Sequence, residues 1–344
     1  MSPTSLVFAH QRDMVFALAK HFQSIHVFTP EPSADKLPKN VKVSHLIWDN
    51  NAIFANVFRI YKLLLPTLLR HRDAVVFSHM TDVHAALISP LTWILRMRHV
   101  LWYAHATNSI YLIWSSFFVS KIVSSTSGSC NLKINKDKIR FINQGISTED
   151  FPYFNHKSFN LDKAFYYGRL DQSKNIHLLL ELTKICNALK IPISIDIYGK
   201  PTNNDSEKYL ENLKFSPIAK TIDTKVKFKG SIQRRNVSQV AGDYSLFVNL
   251  FTGSLDKTLI ETTFLGIPVI TWNQEYCSQF GTWSKKPIRA SLEFIMDEIE
   301  SLRKLNSMAL QIEVASRSKK AIELHSFDGW IERLVTLLKE KGRL

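Results

Sequence analysis

The chain of 344 residues is 45% hydrophobic, more than one core usually supports, so two domains are expected. Its three cysteines (Cys130, Cys186, Cys277) are odd in number and lack metal-ligand spacing, which argues for a reducing compartment and against a disulfide scaffold or zinc site. The formal charge of +14 fits nucleic acid, an anionic membrane surface or anionic substrates without choosing among them.

In chain order, "SLVFAH" (5–10) reads as a short apolar strand, followed by a helical pattern in "RDMVFALAKHF" and a strand in "IHVFTP" (25–30). The opening "MSPTSLVFAH" has no basic region before its apolar residues, so no secretory signal is expected. No stretch reaches about 18 uncharged apolar residues, so no membrane span is expected. Segment 51–72, "NAIFANVFRIYKLLLPTLLRHR", has helical apolar spacing with Arg59, Lys62 and Arg70 opposite. Two readings are open for it, a basic amphipathic helix lying on an anionic membrane or a core-packing helix kinked at Pro66. Strand-like runs follow at "AVVFSH" (74–79), "HVLWYAH" (99–105) and "KIVSST" (121–126), with aromatic and basic character in "PLTWILRMRHV" and "SIYLIWSSFFVSKI". A polar, aromatic, aperiodic stretch near 150–163 suggests a domain seam. Beyond it the scheme repeats in "AFYYGR", "PISIDIYG", "KVKFKG", "YSLFVNL" and "IPVITW". Strands alternating with helices predict an α/β chain of two doubly wound, Rossmann-like domains with parallel sheets. The expected boundaries are 1–155, 156–325 and a terminal helix at 326–344 that crosses back onto the first domain.

Ligands of open parallel sheets bind beyond the carboxyl ends of the strands, which singles out three loops. In "YYGRLDQSKN", Gly168 permits a tight turn, and Arg169 and Lys174 flank a polar loop before a helix, as a phosphate clamp requires. Two solvated surface charges are the plainer reading of that pair. In "KFKGS", Gly230 leaves room for a flat base against backbone, although most glycines after strands are simply turns. The third loop, "TGSLDKTLIETTFLGIPVI" (252–270), puts Lys257 in the first turn of a helix, where the macrodipole disfavours a cation. A bound diphosphate removes the anomaly. The amides of Gly253, Ser254 and Leu255 would meet phosphate oxygens, Lys257 would reach the same anion, and Glu261, about 6 Å further along the axis, would accept from ribose hydroxyls. The competing reading makes Ser254 a helix cap, Asp256 a complement to the dipole and Glu261 a surface acid.

Taken with "YGK", "VKFKGSI" and "GSLDKTLIETTFLGIPVIT", these loops resemble the C-terminal half of retaining GT-B glycosyltransferases of the family 4 type. The resemblance implies two domains facing a central cleft and gives Arg169 and Lys174 to the donor diphosphate and Glu261 to the donor ribose. It also implies a UDP- or GDP-sugar donor, no cofactor, and transfer with retention in which the departing phosphate oxygen serves as base. His105, in "LWYAHAT", takes the family's role of contacting the donor sugar. Two departures stand out. Gly253 occupies the position of the family's first motif glutamate, leaving Asp256 or backbone amides for the sugar, and "FAHQRD" lacks the glycine-rich loop usual near the acceptor. His10, His79 and Asp82 are further acceptor-side candidates.

No DxD-like pattern closes a strand, so no metal is expected. "FSHMTD", "LWYAHAT", "KIVSSTSGS" and "IRFINQGISTEDF" resemble enzymes of bacterial surface-polysaccharide and lipopolysaccharide (O-antigen) assembly. The implied acceptor is a glycan or lipid-linked glycan, and the implied place is the cytoplasmic face of the inner membrane, as a peripheral protein. A GT-B epimerase or hydrolase would use the same nucleotide-sugar site. A nucleic-acid-binding protein is disfavoured. Lys and Arg exceed Asp and Glu by 16 to 9 in residues 1–150 and by 28 to 21 beyond, so the charge is spread and not a footprint.

Overall fold

The computed structural model describes residues 9–30, 36–49, 51–105, 107–156 and 158–340, apart from the side chains of residues 9, 10 and 53. Two compact units result, one of residues 1–142 with 328–344 and the other of 143–327.

In the first unit the chain runs α1 (Ala9–Ala19), β1 (Ile25–Thr29), β2 (Val41–His45), α2 (Ile53–Arg70), β3 (Val76–His79) and α3 (Asp82–Ile94). It continues through β4 (His99–Trp102), α4 (Ile110–Phe118), β5 (Lys121–Ser124) and β6 (Ile139–Phe141). Strands β1 and β2 pair in parallel, and β3-β4-β5-β6 form a parallel sheet in sequence order. Strand β4 is buried along its whole length, as a central parallel strand covered on both faces must be. Of the strand expected at 5–10, residues 5–8 lie outside the described residues, while Ala9 and His10 already belong to α1. Strand β2 escapes prediction because "VKVSH" is short and carries a charge at its second position, Lys42.

Segment 51–72 contains a helix that packs on the core of the first unit. Helix α2 buries Asn56, Ile60, Leu64 and Leu68 against the unit's core and runs on through Pro66. Its other side holds Phe54, Phe58 and Leu69 out in solvent.

The second unit contains β7 (Lys163–Tyr167), α5 (Ile176–Ala188), β8 (Ser194–Tyr198), α6 (Asn204–Lys214), α7 (Pro217–Thr221) and β9 (Val226–Gly230). Then follow α8 (Val237–Ala241), β10 (Leu246–Asn249), α9 (Lys257–Phe264) and β11 (Val269–Thr271). Helices α10 (Gln274–Phe280), α11 (Leu292–Arg303) and α12 (Ser307–His325) complete it, and α13 (Phe327–Lys339) ends the described chain. The sheet order is β11-β10-β7-β8-β9, all parallel.

The units divide at Ile142/Asn143 and not near 155/156. Part of the aromatic stretch that reads as a linker is core. Phe151 is 1% exposed and packs in the cluster of Ile146, Phe165 and Phe247. From residue 328 the chain groups with the first unit, where Trp330 meets Trp102 edge-on at 5.2 Å. There Arg333 Nε donates to the Ile142 carbonyl at 3.0 Å, and the Arg98 guanidinium reaches the carbonyl of Leu337. The three cysteines are free and buried, and burial pushes Cys186 up to about 11 and Cys277 to about 12. Both are therefore inert thiols at neutral pH.

Candidate active site

The sheet order makes neighbours of β7 and β10 although about eighty residues separate them. From β7 the chain proceeds toward β8 on one side, and from β10 toward β11 on the other, so the loops after these two strands diverge. Such a switch point is where open α/β sheets receive ligands. The two loops are 168–175 and 250–256, the first and third singled out above.

Loop 168–175 is laid along the end of β8 by bonds from the amide of Gly168 to the Tyr198 carbonyl (3.1 Å) and from Leu170 to Lys200 (3.2 Å). Gly199 makes that approach possible, since a Cβ there would stand 2.0 Å from the Gly168 carbonyl oxygen. Arg169 extends into solvent and pairs loosely with Asp171 at 3.6 Å. Lys174, which closes a 3-10 turn, is buried instead. Its Nζ donates to Asp256 Oδ2 at 2.6 Å and sits 3.6 Å from the centre of the Phe251 ring. Asn175 then adopts a left-handed conformation, and its side chain donates to the Leu250 carbonyl at 2.9 Å, tying the two loops together.

Loop 250–256 is held from below. Asn249 accepts from the Phe251 amide (3.0 Å) and donates to Thr258 (3.1 Å), and Asn273 donates to the Gly253 carbonyl (2.9 Å). Helix α9 begins at Lys257, and its cap is Asp256, which accepts from the Thr258 amide at 3.2 Å. Ser254 is therefore not the cap. Leu255 departs from expectation more sharply, because its amide donates to Glu275 Oε2 at 2.6 Å and is not open to a phosphate. The amides of Gly253 and Ser254 carry no internal bond among the described residues.

Burial alone would raise the pKa of Asp256. The charge and hydrogen bond of Lys174, with the Thr258 amide and Asn249, outweigh it and hold the carboxyl below its usual value. Lys257 is an exposed residue, yet lost hydration of its head first and Arg234 second lower its pKa against the pull of Glu261 and Asp256.

Glu261 is 3% exposed and so is no surface acid. Its Oε2 accepts from Tyr167 at 2.8 Å, and its Oε1 lies 2.7 Å from Arg234 Nη1. Burial, followed by the Glu261 charge, pushes the Tyr167 hydroxyl well above its usual pKa, so it stays a donor. A carboxylate has about four acceptor sites, so both oxygens keep spare lone pairs, but Oε1 is buried beneath Arg234.

Gly230 ends β9 at φ +79°, with open space where a Cβ would stand, two strands away from β7. The loop it opens returns to the site through Arg234. A Cβ on Gly253 would lie 2.2 Å from the Phe251 ring, so a side chain at 253 requires that ring to leave Lys174. Phe251 thus fills the room that a side chain at 253 would need. Sequence reading missed Tyr167, Arg234, Asn249 and Phe251. Only the basic pair in "SIQRRNV" after β9 was a visible signal.

The remaining candidates lie in the first unit. His105 is exposed beyond β4, its ring edge-on to Tyr103 at 5.5 Å. His79 ends β3 and stacks parallel to Trp102 at 6.0 Å. Asp82 starts α3 and accepts from the Ser109 hydroxyl and the Val83 amide, so it builds local structure. His10 belongs to α1, not to a strand end, and its side chain lies outside the described residues. Among the described residues, no three His, Cys, Asp or Glu side chains gather as a metal-ligand set.

Taken together, the two doubly wound parallel units constitute the GT-B fold. Solved structures sharing it include a glycosyltransferase from Rickettsia africae, at TM-score 0.73 and 11% identity over 98% of this chain and 96% of that one. Anabaena HepE, solved in complex with UDP and glucose, superposes at TM-score 0.71 and 11% identity over 99% and 98% of the two chains. Sucrose-phosphate synthase from Thermosynechococcus elongatus gives 0.66 and 13% over 96% and 92%. No protein-family model and no curated protein matches the chain.

Proposed function

We propose that the protein is a retaining, metal-independent glycosyltransferase that moves a sugar from a UDP- or GDP-sugar to a glycan or lipid-linked acceptor in bacterial surface-polysaccharide assembly. The observation that carries this reading is the meeting of Lys174, Asp256, Lys257 and Glu261 at the point where β7 and β10 part company. Two cations, the open amides of Gly253 and Ser254 and a helix start receive the diphosphate. Glu261, buried one turn further along, receives the ribose. HepE, of the same fold, was solved with UDP-glucose, which supports a donor of this class.

In such a reaction the leaving group is the nucleoside diphosphate. Cations and helix amides fixed before the bond breaks stabilise its developing charge. No carboxylate in the second-unit site stands free to attack the sugar, since Asp256 is committed to Lys174 and Glu261 to Tyr167 and Arg234. That suits front-face entry of the acceptor with the phosphate oxygen as base.

Calorimetric titration with UDP, GDP and their sugars tests the reading, with one nucleoside diphosphate expected to bind and to raise the melting temperature. No stabilisation by any nucleoside diphosphate would sink it. Release of free sugar, or of an epimer, without transfer would assign a hydrolase or epimerase instead. Arg169→Ala should slow transfer roughly tenfold by removing a charge-assisted contact to the diphosphate. Because Arg169 is exposed, melting should not change. Transfer should also continue in EDTA. Loss on chelation with recovery on adding Mg²⁺ would show that a metal carries the diphosphate.

A further inference from the structure

Helix α4 is built inside out. Its buried residues are Leu112, Ser115 and Ser116, while Ile110, Tyr111, Ile113, Trp114 and Phe117 are 75%, 46%, 44%, 50% and 69% exposed. The serines are satisfied within the helix, Ser115 donating to the Tyr111 carbonyl (2.7 Å) and Ser116 to that of Ile113 (2.7 Å). The helix is well anchored all the same. Ser109 caps it, Phe118 contacts Trp93 edge-on at 6.1 Å, and Trp114 Nε1 donates to the Ala86 carbonyl of α3 at 3.2 Å. The outward apolar face is thus a fixed surface and not a frayed end. Trp93 and Ile94, 50% and 68% exposed, close the neighbouring helix α3. A soluble monomer rarely presents so much contiguous apolar surface without a purpose.

We infer that α4 and the end of α3 form a face on which this protein docks to an anionic lipid bilayer. Charge selects the occupant. Residues 103–120 contain no Lys, Arg, Asp or Glu, whereas residues 93–141 around them carry seven Lys and Arg against a single acid, Asp137. Two of the basic side chains lie at the helix's end: Lys138 Nζ reaches the Phe117 carbonyl at 3.4 Å, and Lys121, just past it in the chain, holds the Asp137 carbonyl at 2.6 Å. An uncharged aromatic centre with a basic rim matches acyl chains beneath anionic headgroups, with Trp and Tyr at the interface. At nine residues the helix is about 13.5 Å long, suited to lying in the interface and too short to cross it. Among the described residues no helix is long and apolar enough to span a membrane. This face lies wholly in the first unit, so the inference stands apart from the donor site.

Sedimentation with sucrose-loaded vesicles tests it. The protein should pellet with mixed phosphatidylcholine–phosphatidylglycerol vesicles, much less with phosphatidylcholine alone, and should be released by salt. The double variant Ile110→Ser/Phe117→Ser removes two exposed side chains, so folding should be intact by melting, as should nucleoside diphosphate binding. Its affinity for the anionic vesicles should fall roughly tenfold or more. Pelleting equal to the parent protein, or no pelleting of the parent, would overturn the inference. So would a parent that is dimeric in solution and a variant that is monomeric, because the face would then join two copies of the chain.

Discussion

Replacing Lys174 by Ala is expected to lower glycosyl transfer by well over tenfold and to lower the melting temperature as well. Loss of the proposed phosphate contact accounts for the first effect. The second follows from burial, since the Lys174 and Asp256 side chains are 8% and 11% exposed and their charged atoms are 2.6 Å apart. Removing one partner of such a pair leaves an uncompensated charge and costs about 3–5 kcal/mol. The remaining bonds to Asp256, from Thr258 and Asn249, place the cost toward the lower figure. Adding Asp256→Asn to the Lys174→Ala protein should restore melting and leave transfer low, which separates the two effects. Acid provides a further check. Because the folded-state pKa of Asp256 lies below its usual 3.8, its contribution is complete above that value. It disappears as the pH falls through the folded pKa, where the unfolded chain takes up a proton first. The melting difference between parent and Lys174→Ala should therefore be full at neutral pH and shrink below about pH 4. A variant that melts like the parent at neutral pH would contradict the buried pair.

The elements that position this pair were legible because their signals are local. The strand runs "AFYYGR" and "YSLFVNL" are apolar and bounded by turn residues, and they became β7 and β10 within two residues. The loop after β7 stood out because Gly168 and Arg169 follow the strand end directly, and the loop after β10 because Lys257 falls in the first turn of a helix. What escaped notice depends on contacts between distant residues. No periodicity tells that Arg234 will face Glu261, twenty-seven positions on, or that Glu275 will take the Leu255 amide. The seam was misplaced for a related reason. Phe151 and Phe154 have no regular spacing, and only the packed cluster around Phe165 and Phe264 makes the former core. Helix α4 shows the limit of hydropathy. "IYLIWSSFF" is apolar at seven of nine positions, so the pattern identifies a helix but not its solvent side, and the buried side turned out to hold the serines.

Under the proposed function Glu261 and Lys257 divide the nucleotide between them, and a matched pair of variants should show it. Glu261→Gln keeps the shape and one acceptor oxygen but loses the charge. It should weaken nucleoside and nucleoside diphosphate alike by about 1.5–3 kcal/mol, the scale of a hydrogen bond to a charged group, or roughly ten- to hundredfold in Kd. The structure sharpens this expectation. Glu261 already holds Tyr167 and Arg234, so its orientation is set before the ribose arrives, and the loss appears in affinity and not as a slow rearrangement. Arg234 has Asp150 at 3.8 Å and the Phe151 ring at 5.1 Å as other partners, so it can yield a carboxylate oxygen without entering solvent alone. Lys257→Ala should behave differently. Its partner is the phosphate, so nucleoside diphosphate affinity should fall while that of the bare nucleoside holds. Without ligand the same change removes a cation from the positive end of α9, close to Arg234, and should be neutral or stabilise by about a few tenths of a kcal/mol. Titration of both variants with nucleoside and nucleoside diphosphate, alongside ligand-free melting curves, decides the matter. If Lys257→Ala destabilises the empty protein and leaves diphosphate affinity untouched, the lysine is structural and the diphosphate does not sit at the start of α9.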